Sequence, residues 1–276
     1  MVRSVVVLLA SLVLAYPGAA PAQPSSGSGE SYGSPGLSRI VSSRTLRVAM
    51  SGTQPPLNFK GKDGEMMGLE VDLARALAGL MRVELQIVQK PFAELLGALA
   101  AGEADLVMSG MTTTPERSMK ATFVGPYYLS GKSILTRSSR LAQVEEAGEL
   151  NQADLKLAAL EGSTSAEFVR AVLPKASLVT TPDYDAAVKM LLADEVGALV
   201  ADREIVQLTA FLHPKEGLAT LREPLTIEPI GIAAPPDDRL LTAFLGNALD
   251  ALEASGLASA IRSRWLESSD WVQSLP

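Results

Sequence analysis

Two kinds of apolar periodicity recur along the chain and predict a fold in which strands and helices alternate. Short apolar or alternating runs, typical of β-strands, occupy residues 46–50, 83–88, 105–108, 156–160 and 198–201. Segments typical of helices occupy residues 68–81, 91–101, 166–173, 182–192, 237–255 and 257–266. This order indicates an α/β protein whose sheets are flanked by helices.

One helix–turn–strand pattern occurs twice, first in residues 91–108 and again in residues 182–201. In open α/β sheets, ligands bind in the crevice beyond the carboxyl ends of the strands. We therefore expect two similar lobes that face each other across a cleft. Such lobes would bring Arg117, which follows the first strand, close to Asp202, which follows the second.

Two extended segments are placed to connect the lobes. They are residues 127–135, between the two copies of the pattern, and residues 225–233, after the second copy. Hinges are usually a few residues at the ends of elements that absorb a change in backbone dihedral angles. Residues 127–131 and 226–230 fit this description, and we expect the lobes to close about them.

The N-terminus has the features of a secretory signal peptide. A positively charged start precedes the apolar run 5–14, and a small-x-small cleavage site ends at Ala22. The apolar run is too short to span a bilayer as a helix. We expect residues 1–22 to be removed on export to the periplasm, and we expect the Gly-, Ser- and Pro-rich residues 23–37 to be a flexible linker.

The composition excludes several classes of function. The 276-residue chain carries a formal net charge of −7, so nucleic acid is not an expected partner. It has no cysteine, hence no disulfide and no site for a lipid anchor. Its single histidine, His213, lies in a loop-like segment, so neither a zinc site nor a Ser-His-Asp triad is expected. The sequence predicts no metal and no cofactor.

The first candidate site is the sequence Ser-Gly-Met-Thr-Thr-Thr-Pro-Glu-Arg at residues 109–117. A strand breaks here and a helix begins at Pro115, with Thr113 or Thr114 as its N-cap. Such a corner exposes backbone N–H groups that attract anions. Arg117 adds a planar guanidinium that can bind a carboxylate through two parallel hydrogen bonds.

A second corner of the same kind lies at residues 161–165, Glu-Gly-Ser-Thr-Ser, between a strand and a helix. Its helix N-terminus suits a carboxylate or a phosphate group. Plain N-capping by Ser163 or Thr164 accounts for the same residues equally well. The sequence alone leaves both interpretations open.

Four sequence motifs occur in an order that resembles a known family. They are Pro-Pro-Leu-Asn-Phe at residues 55–59, Gly-Leu-Glu-Val-Asp-Leu-Ala at 68–74, the corner at 109–117, and Gly-Pro-Tyr-Tyr at 125–128. From about residue 38 to 267, the chain resembles the periplasmic solute-binding proteins, family 3, which serve polar amino-acid ABC importers.

The resemblance implies an α/β, two-lobe periplasmic binding protein fold of type II. Each lobe is then a mixed sheet flanked by helices, and two crossover hinge segments connect the lobes. On this basis lobe 1 comprises residues 38–128 plus 230–276, and lobe 2 comprises residues 129–229.

The resemblance also implies a binding site for a small solute, an amino acid or similar carboxylate. Arg117 and the N–H of Thr112 suit the ligand carboxylate, and Asp202 suits an ammonium group. An aromatic residue usually stacks on the ligand at position 54, and Gln54 stands there instead, which favours a polar ligand side chain. The expected ligand contacts are Arg117, Asp202, Thr112, Gly110, Ser163, Thr164, Phe92 and Gln54.

The function implied is that of a monomeric, periplasmic binding protein without catalytic residues, whose partner is the permease of an ABC importer in the inner membrane. An enzymatic alternative remains, because cyclohexadienyl and arogenate dehydratases share this fold. Glu204 and Glu161 are the candidate acids for that chemistry. From the resemblance, the catalytic acid of a dehydratase is expected just after Asp202. That position aligns nearer to Ile205 than to Glu204.

Overall fold

The structure is a computed structural model and describes residues 33–276. The predicted signal peptide and most of the predicted linker therefore lie outside the described residues. The α-helices of the described part are α1 Pro35–Ser43, α2 Leu69–Met81, α3 Leu95–Ala100, α4 Pro115–Ser118, α5 Thr164–Val172, α6 Tyr184–Leu192, α7 Arg203–Leu212, α8 Arg239–Ala254 and α9 Leu257–Arg262. None of the helices formed by residues 33–276 combines the length and apolar composition that a membrane span needs.

The predicted alternation of strands and helices is confirmed, with boundaries that differ by a few residues. The β-strands of the described part are β1 Thr45–Met50, β2 Thr53–Gln54, β3 Asn58–Lys60, β4 Met66–Met67, β5 Glu84–Gln89, β6 Leu106–Val107, β7 Thr122–Ser130, β8 Lys132–Thr136, β9 Lys156–Leu160, β10 Ser177–Thr181, β11 Ala198–Asp202, β12 Ala219–Thr220 and β13 Glu228–Ala234. The predicted helix at 91–101 is a 3-10 turn, Phe92–Glu94, followed by α3. The helix predicted at 257–266 is α9 followed by a π-helical turn.

Lobe 1 is built on a five-stranded mixed sheet with the strand order β5-β1-β6-β13-β7. β1 runs parallel to β5 and β6, whereas β13 runs antiparallel to β6 and β7. Side chains of β1 alternate between two apolar clusters, because successive residues of a strand point to opposite faces. Leu46, Val48 and Met50 join the cluster that contains α2 and α8, and Ala49 joins the cluster that contains α3.

Lobe 2 is built on a second five-stranded mixed sheet with the order β10-β9-β11-β8-β12. β9, β10 and β11 are parallel, and β8 is antiparallel to both β11 and β12. All five residues of β8 and of β11 are buried, because α5, α6 and α7 pack on this sheet. The register of β8 and β11 pairs Lys132 with Asp202.

Two crossings connect the lobes where extended hinge segments were expected. β7 of the first sheet ends at Ser130, and β8 of the second begins after the single residue Gly131. The return runs from β12 to β13 and passes directly beside the first crossing. A Cβ atom at Gly131 would lie 2.3 Å from the backbone oxygen of Thr226, so only glycine fits there. The residue limits of the two lobes given above stay a prediction.

The predicted C-terminal limit of the linker, residue 37, is wrong, because helix α1 already begins at Pro35. Pro35 occupies the first turn of α1, and the Ser34 hydroxyl caps this helix by accepting a hydrogen bond from the N–H of Leu37. Ser34 also donates to Asp238, which accepts the N–H of Gly36 at 2.6 Å as well. Residues 34–37 are therefore fixed to the start of α8 rather than forming a flexible tether.

A small sheet of lobe 1 was not predicted. β2, β3 and β4 form three antiparallel strands within residues 53–67, where the sequence suggested only a loop at 51–57. Strands this short carry too little periodicity to be recognised from the sequence. Gln54 is the second residue of β2 in this sheet.

Candidate functional site

The corner after β6 has the predicted form. β6 ends at Val107, and α4 begins at Pro115. Its N-cap is Thr114, whose hydroxyl accepts the N–H of Arg117 at 3.1 Å. Of the two threonines that the sequence left open as N-cap, Thr114 is therefore the one used. Because α4 is a single turn, the charge of this corner lies in the Arg117 side chain rather than in a helix dipole.

Arg117 is buried and contacts both lobes. Its side chain donates one hydrogen bond to the carbonyl oxygen of Thr112 and another to that of Gly162 in lobe 2, each at 3.0 Å. Its guanidinium carbon lies 5.8 Å from the centroid of the Phe92 ring, within cation–π range. Burial lowers the pKa of Arg117, and the nearby negative charges of Glu167, Asp202 and Glu228 oppose that shift.

The second corner uses its two hydroxyl residues differently. The Ser163 hydroxyl caps α5 by accepting the N–H of Ala166 at 3.2 Å, and it donates to the carbonyl oxygen of Leu160 at 2.6 Å. The Thr164 hydroxyl instead faces the other lobe, with its oxygen 3.3 Å from that of Thr112. The structure therefore gives the Ser163 side chain a capping role and leaves Thr164 at the cleft.

Asp202 lies beside a lysine that the sequence analysis did not single out. Lys132 Nζ donates to Asp202 Oδ1 at 2.6 Å and lies 3.4 Å from Glu228 Oε2. Lys132 is 1% exposed, and both carboxylates are buried. A buried charge is costly unless it is paired, so the three side chains form one mutually dependent cluster.

A continuous series of polar contacts joins the two predicted charged residues. Arg117 bonds to the backbone of Thr112, whose hydroxyl contacts that of Thr164. Thr164 donates to Glu228 Oε2 at 3.3 Å, and Glu228 pairs with Lys132, which pairs with Asp202. The structure thus brings Arg117, Thr112, Thr164 and Asp202 into one site.

Lys132 and Glu228 are the residues of this site that sequence reasoning missed. Lys132 directly follows the expected hinge segment 127–131, and Glu228 lies within the expected hinge segment 226–230; each is a charged residue beside an otherwise apolar run. A charged residue in such a position could have indicated a buried ion pair. Lys132 meets Asp202 through the antiparallel register of β8 and β11, and it meets Glu228 through the return to β13. The sequence specifies neither arrangement.

Gly110 is held by a buried acid, Glu70. The N–H of Gly110 donates to Glu70 Oε1 at 2.6 Å, and the Tyr127 hydroxyl donates to the same oxygen. The Asn58 amide donates to Glu70 Oε2 at 2.5 Å. Burial raises the pKa of Glu70, and these hydrogen bonds oppose the shift. Gly110 adopts a φ of 58°, which favours glycine.

Gln54 faces an aromatic residue of the opposite lobe. Its side-chain oxygen accepts the Ser109 hydroxyl at 2.8 Å and the Asn58 amide at 3.3 Å. It also lies beside Tyr184, the first residue of α6; burial raises the pKa of Tyr184, and the interaction with Gln54 opposes that shift. Tyr184 and Phe92 are buried in the same apolar cluster. An aromatic side chain is therefore present near position 54, but it comes from lobe 2.

The structure separates the two candidate catalytic acids. Glu161 is exposed at the second corner. Glu204 is buried; its Oε2 accepts the Ser130 hydroxyl at 2.6 Å, and its Oε1 has no hydrogen-bond partner among residues 33–276. Burial and the negative charge of Asp202 raise the pKa of Glu204 to about 7. Ile205, where the resemblance leads us to expect the acid, is 2% exposed in the apolar core.

A cavity of about 450 Å³ adjoins Glu204. Its walls come from α7 of lobe 2, which includes Phe211, and from Pro56, Tyr128 of β7 and the C-terminal segment with Trp265 and Trp271 in lobe 1. Within residues 33–276, no group of three or more His, Cys, Asp or Glu side chains is placed to hold a metal ion.

Two facing α/β lobes, two crossings and a charged cleft define a two-lobe binding fold of the kind that closes over small solutes. A family model described as bacterial extracellular solute-binding proteins, family 3, matches residues 46–268. The chain belongs to this family.

Curated relatives include both an enzyme and transport proteins. Cyclohexadienyl dehydratase of Pseudomonas aeruginosa is 27% identical over 231 residues, 84% of this chain and 86% of the relative. The ABC transporter arginine-binding protein 1 of Escherichia coli is 28% identical over 226 residues, 80% of this chain and 90% of the relative.

Solved structures show the same fold. An ancestral amino acid-binding protein, described as a precursor of cyclohexadienyl dehydratase, is 30% identical with a TM-score of 0.76, covering 83% of this chain and 98% of its own. A mutant of the arginine-binding protein of T. maritima is 27% identical with a TM-score of 0.79, covering 84% of this chain and 100% of its own.

Proposed function

We propose that this protein captures an amino acid, or a carboxylate of similar size, between its two lobes and delivers it to the permease of an ABC importer. The observation that carries the proposal is the position of Arg117. It is a buried guanidinium on lobe 1 that already contacts lobe 2 through Gly162. A carboxylate that engages this guanidinium would therefore stabilise the closed arrangement of the lobes.

The proposed partner and the proposed cellular location rest on the relatives and on the N-terminal sequence. Relatives of this chain include ABC transporter binding proteins, and the sequence begins with a predicted signal peptide. We propose a monomer that acts in the periplasm and presents both lobes to the permease when closed. The proposed ligand contacts are those predicted from the sequence, with the Ser163 hydroxyl used for capping, and with Lys132 and Glu228 added.

The test is calorimetric titration of the purified exported protein with the amino acids and a set of small carboxylates, followed by the variant Arg117→Ala. We expect at least one compound to bind wild type and to lose at least about tenfold in affinity with the variant. Arg170→Ala, which removes an exposed arginine of α5, is the matched control and should bind normally. Unchanged binding by Arg117→Ala would place the site elsewhere.

A second candidate function is dehydratase chemistry, favoured by Glu204. A buried carboxyl group whose pKa is about 7 can donate a proton at neutral pH. In such a reaction the acid would protonate a leaving hydroxyl group while the substrate ring loses carbon dioxide, giving an aromatic product and water. The cavity beside Glu204 could admit a ring.

Incubation with prephenate and with arogenate distinguishes the two functions. The appearance of an aromatic product, abolished in Glu204→Gln, would establish the enzyme. Binding of a solute that is recovered unchanged, with no product from either ring compound, would support the binding-protein function over the enzyme.

A further inference from the structure

We propose that the cleft selects a 2-oxo or 2-hydroxy carboxylate over the corresponding α-amino acid, and that Lys132 is the residue that enforces this choice. The inference rests on the proposed function, in which Arg117 binds the ligand carboxylate. It goes beyond that function by naming the group that the ligand carries next to its carboxylate.

Lys132 is fixed in place by the fold. It is the first residue of β8, and the antiparallel register sets it directly opposite Asp202 on β11. Its backbone is also tied to the return crossing: its N–H donates to the Thr226 hydroxyl at 3.0 Å, and its carbonyl oxygen accepts the N–H of Leu225 at 2.7 Å. Side chains opposite each other on neighbouring strands are adjacent, so the pairing of Lys132 with Asp202 is built into the sheet.

Lys132 takes the place that a ligand ammonium group would need. From the sequence, Asp202 is expected to receive that ammonium, but Asp202 Oδ1 already accepts a hydrogen bond from Lys132 Nζ at 2.6 Å. The second acid of the cluster, Glu228, also faces Lys132, at 3.4 Å. A ligand ammonium close enough to bond either carboxylate would lie beside another positive charge, in a buried site where repulsion is weakly screened.

The same lysine offers what an oxygen substituent requires. An ammonium group has three N–H donors, and the contacts with Asp202 and Glu228 account for two of them. Lys132 Nζ has no third polar contact among residues 33–276, so one N–H can serve an acceptor, and the oxygen on C2 of a 2-oxo or 2-hydroxy acid is an acceptor next to the carboxylate. Arg117 and Lys132 would then hold the two neighbouring oxygen groups of one ligand.

Matched pairs of compounds test this selectivity directly. Calorimetric titration of the exported protein would compare L-glutamate with 2-oxoglutarate and 2-hydroxyglutarate, L-phenylalanine with phenylpyruvate, and L-leucine with 4-methyl-2-oxopentanoate. The comparison that counts is the one among these three whose members bind wild type most tightly. There we expect the 2-oxo or 2-hydroxy acid to bind at least about tenfold more tightly than the amino acid. A wild type that binds the amino acid more tightly would overturn the proposal.

Variants of Lys132 identify the residue responsible. Lys132→Met removes the positive charge and frees both carboxylates, so the preference should move toward the amino acid by at least about tenfold. Lys132→Arg keeps a charge and should retain the wild-type preference. If Lys132→Met does not fold, the double variant Lys132→Met/Glu228→Gln, which leaves one buried carboxylate fewer, makes the same comparison. Lys90→Met, which removes a partly exposed lysine paired with Glu103, is the control.

The outcomes separate this inference from the proposed function. An unchanged preference in both the single and the double variant would overturn the role of Lys132. Binding that persists in Arg117→Ala would overturn the proposed site, whichever member of a pair binds better. If no member of any pair binds wild type, the proposed function is decided by the wider set of amino acids and carboxylates given above, and tight binding of an amino acid from that set, with no binding of its 2-oxo analogue, overturns the present inference alone.

Discussion

Arg117 of lobe 1 donates a hydrogen bond to the carbonyl oxygen of Gly162 of lobe 2, at 3.0 Å. A Cβ atom at Gly162 would lie 3.1 Å from Ala93 of lobe 1, so the two lobes approach closely at this point. The residue proposed to bind the ligand is therefore also a residue that joins the lobes. In the proposed function, ligand binding and lobe closure would therefore depend on the same side chain.

Arg117→Lys tests the need for a guanidinium. Lysine keeps the positive charge but cannot donate two parallel hydrogen bonds while it also spans to Gly162. We expect the dissociation constant of the ligand to rise at least about tenfold, measured by calorimetry. An affinity equal to that of wild type would show that charge alone suffices, and that the planar geometry of Arg117 has no part in binding.

Ser163→Ala and Thr164→Val separate helix capping from ligand contact. Because the Ser163 hydroxyl caps α5, its loss should lower the free energy of unfolding by about 1 kcal/mol and leave ligand affinity nearly unchanged. Thr164→Val removes the contacts with Thr112 and Glu228 and should weaken ligand binding. Urea denaturation and calorimetry on both variants check the two outcomes, and the reverse pattern would make Ser163 the ligand contact.

Gly131→Ala tests the close approach of the two crossings. The added methyl group would meet the backbone oxygen of Thr226, which cannot move without shifting the return crossing. We expect the free energy of unfolding to fall by about 2 kcal/mol, measured by urea denaturation. Gly79→Ala, in open space on α2, is the control and should raise that free energy by about 0.5–1 kcal/mol. Equal effects at the two positions would contradict the steric argument.

Glu70→Ala tests the buried acid beneath the first corner. The change leaves the N–H of Gly110, the Tyr127 hydroxyl and the Asn58 amide without their shared partner. We expect the free energy of unfolding to fall by about 3 kcal/mol, because each buried group that loses its partner carries a desolvation cost. Glu65→Ala, at an exposed position, should change it by less than about 0.5 kcal/mol. Thermal or urea denaturation of both variants is the measurement.

The raised pKa of Glu204 predicts how the free energy of unfolding changes with pH. Burial and Asp202 raise its pKa to about 7, while Lys132 and the bond from Ser130 oppose the shift. Between its ordinary pKa of 4.5 and about 7, the folded protein holds a proton that the unfolded chain has lost. Stability therefore falls as the pH rises through this window, by up to about 3 kcal/mol.

Glu204→Gln should remove this contribution, because the amide does not titrate and can still accept the Ser130 hydroxyl. Urea denaturation at pH 5 and at pH 8 would show a larger decline for wild type than for the variant. Parallel declines in the two proteins would assign the dependence to other groups.

The sequence determined most of the longer elements and one half of the candidate site. Apolar periodicity specified many strands and helices of both lobes, because side-chain burial follows the periods of strand and helix, but it did not reveal the short strands β2–β4. The corner at residues 109–117 was readable because N-cap chemistry and the proline at N1 act locally. Even the start of α1 was readable in principle, since Ser34 and Pro35 are a cap and a first-turn proline.

Only the tertiary structure decided the electrostatic partners in the cleft. Lys132 and Asp202 are neighbours through an antiparallel strand register, and Glu228 reaches them through a separate crossing. Tyr184 reaches Gln54 from the other lobe. Such contacts join residues that are distant in sequence. A local sequence pattern does not indicate which distant side chain will neutralise a buried charge. The chain thus determined where charged groups stand along it, and the fold determined which of them meet.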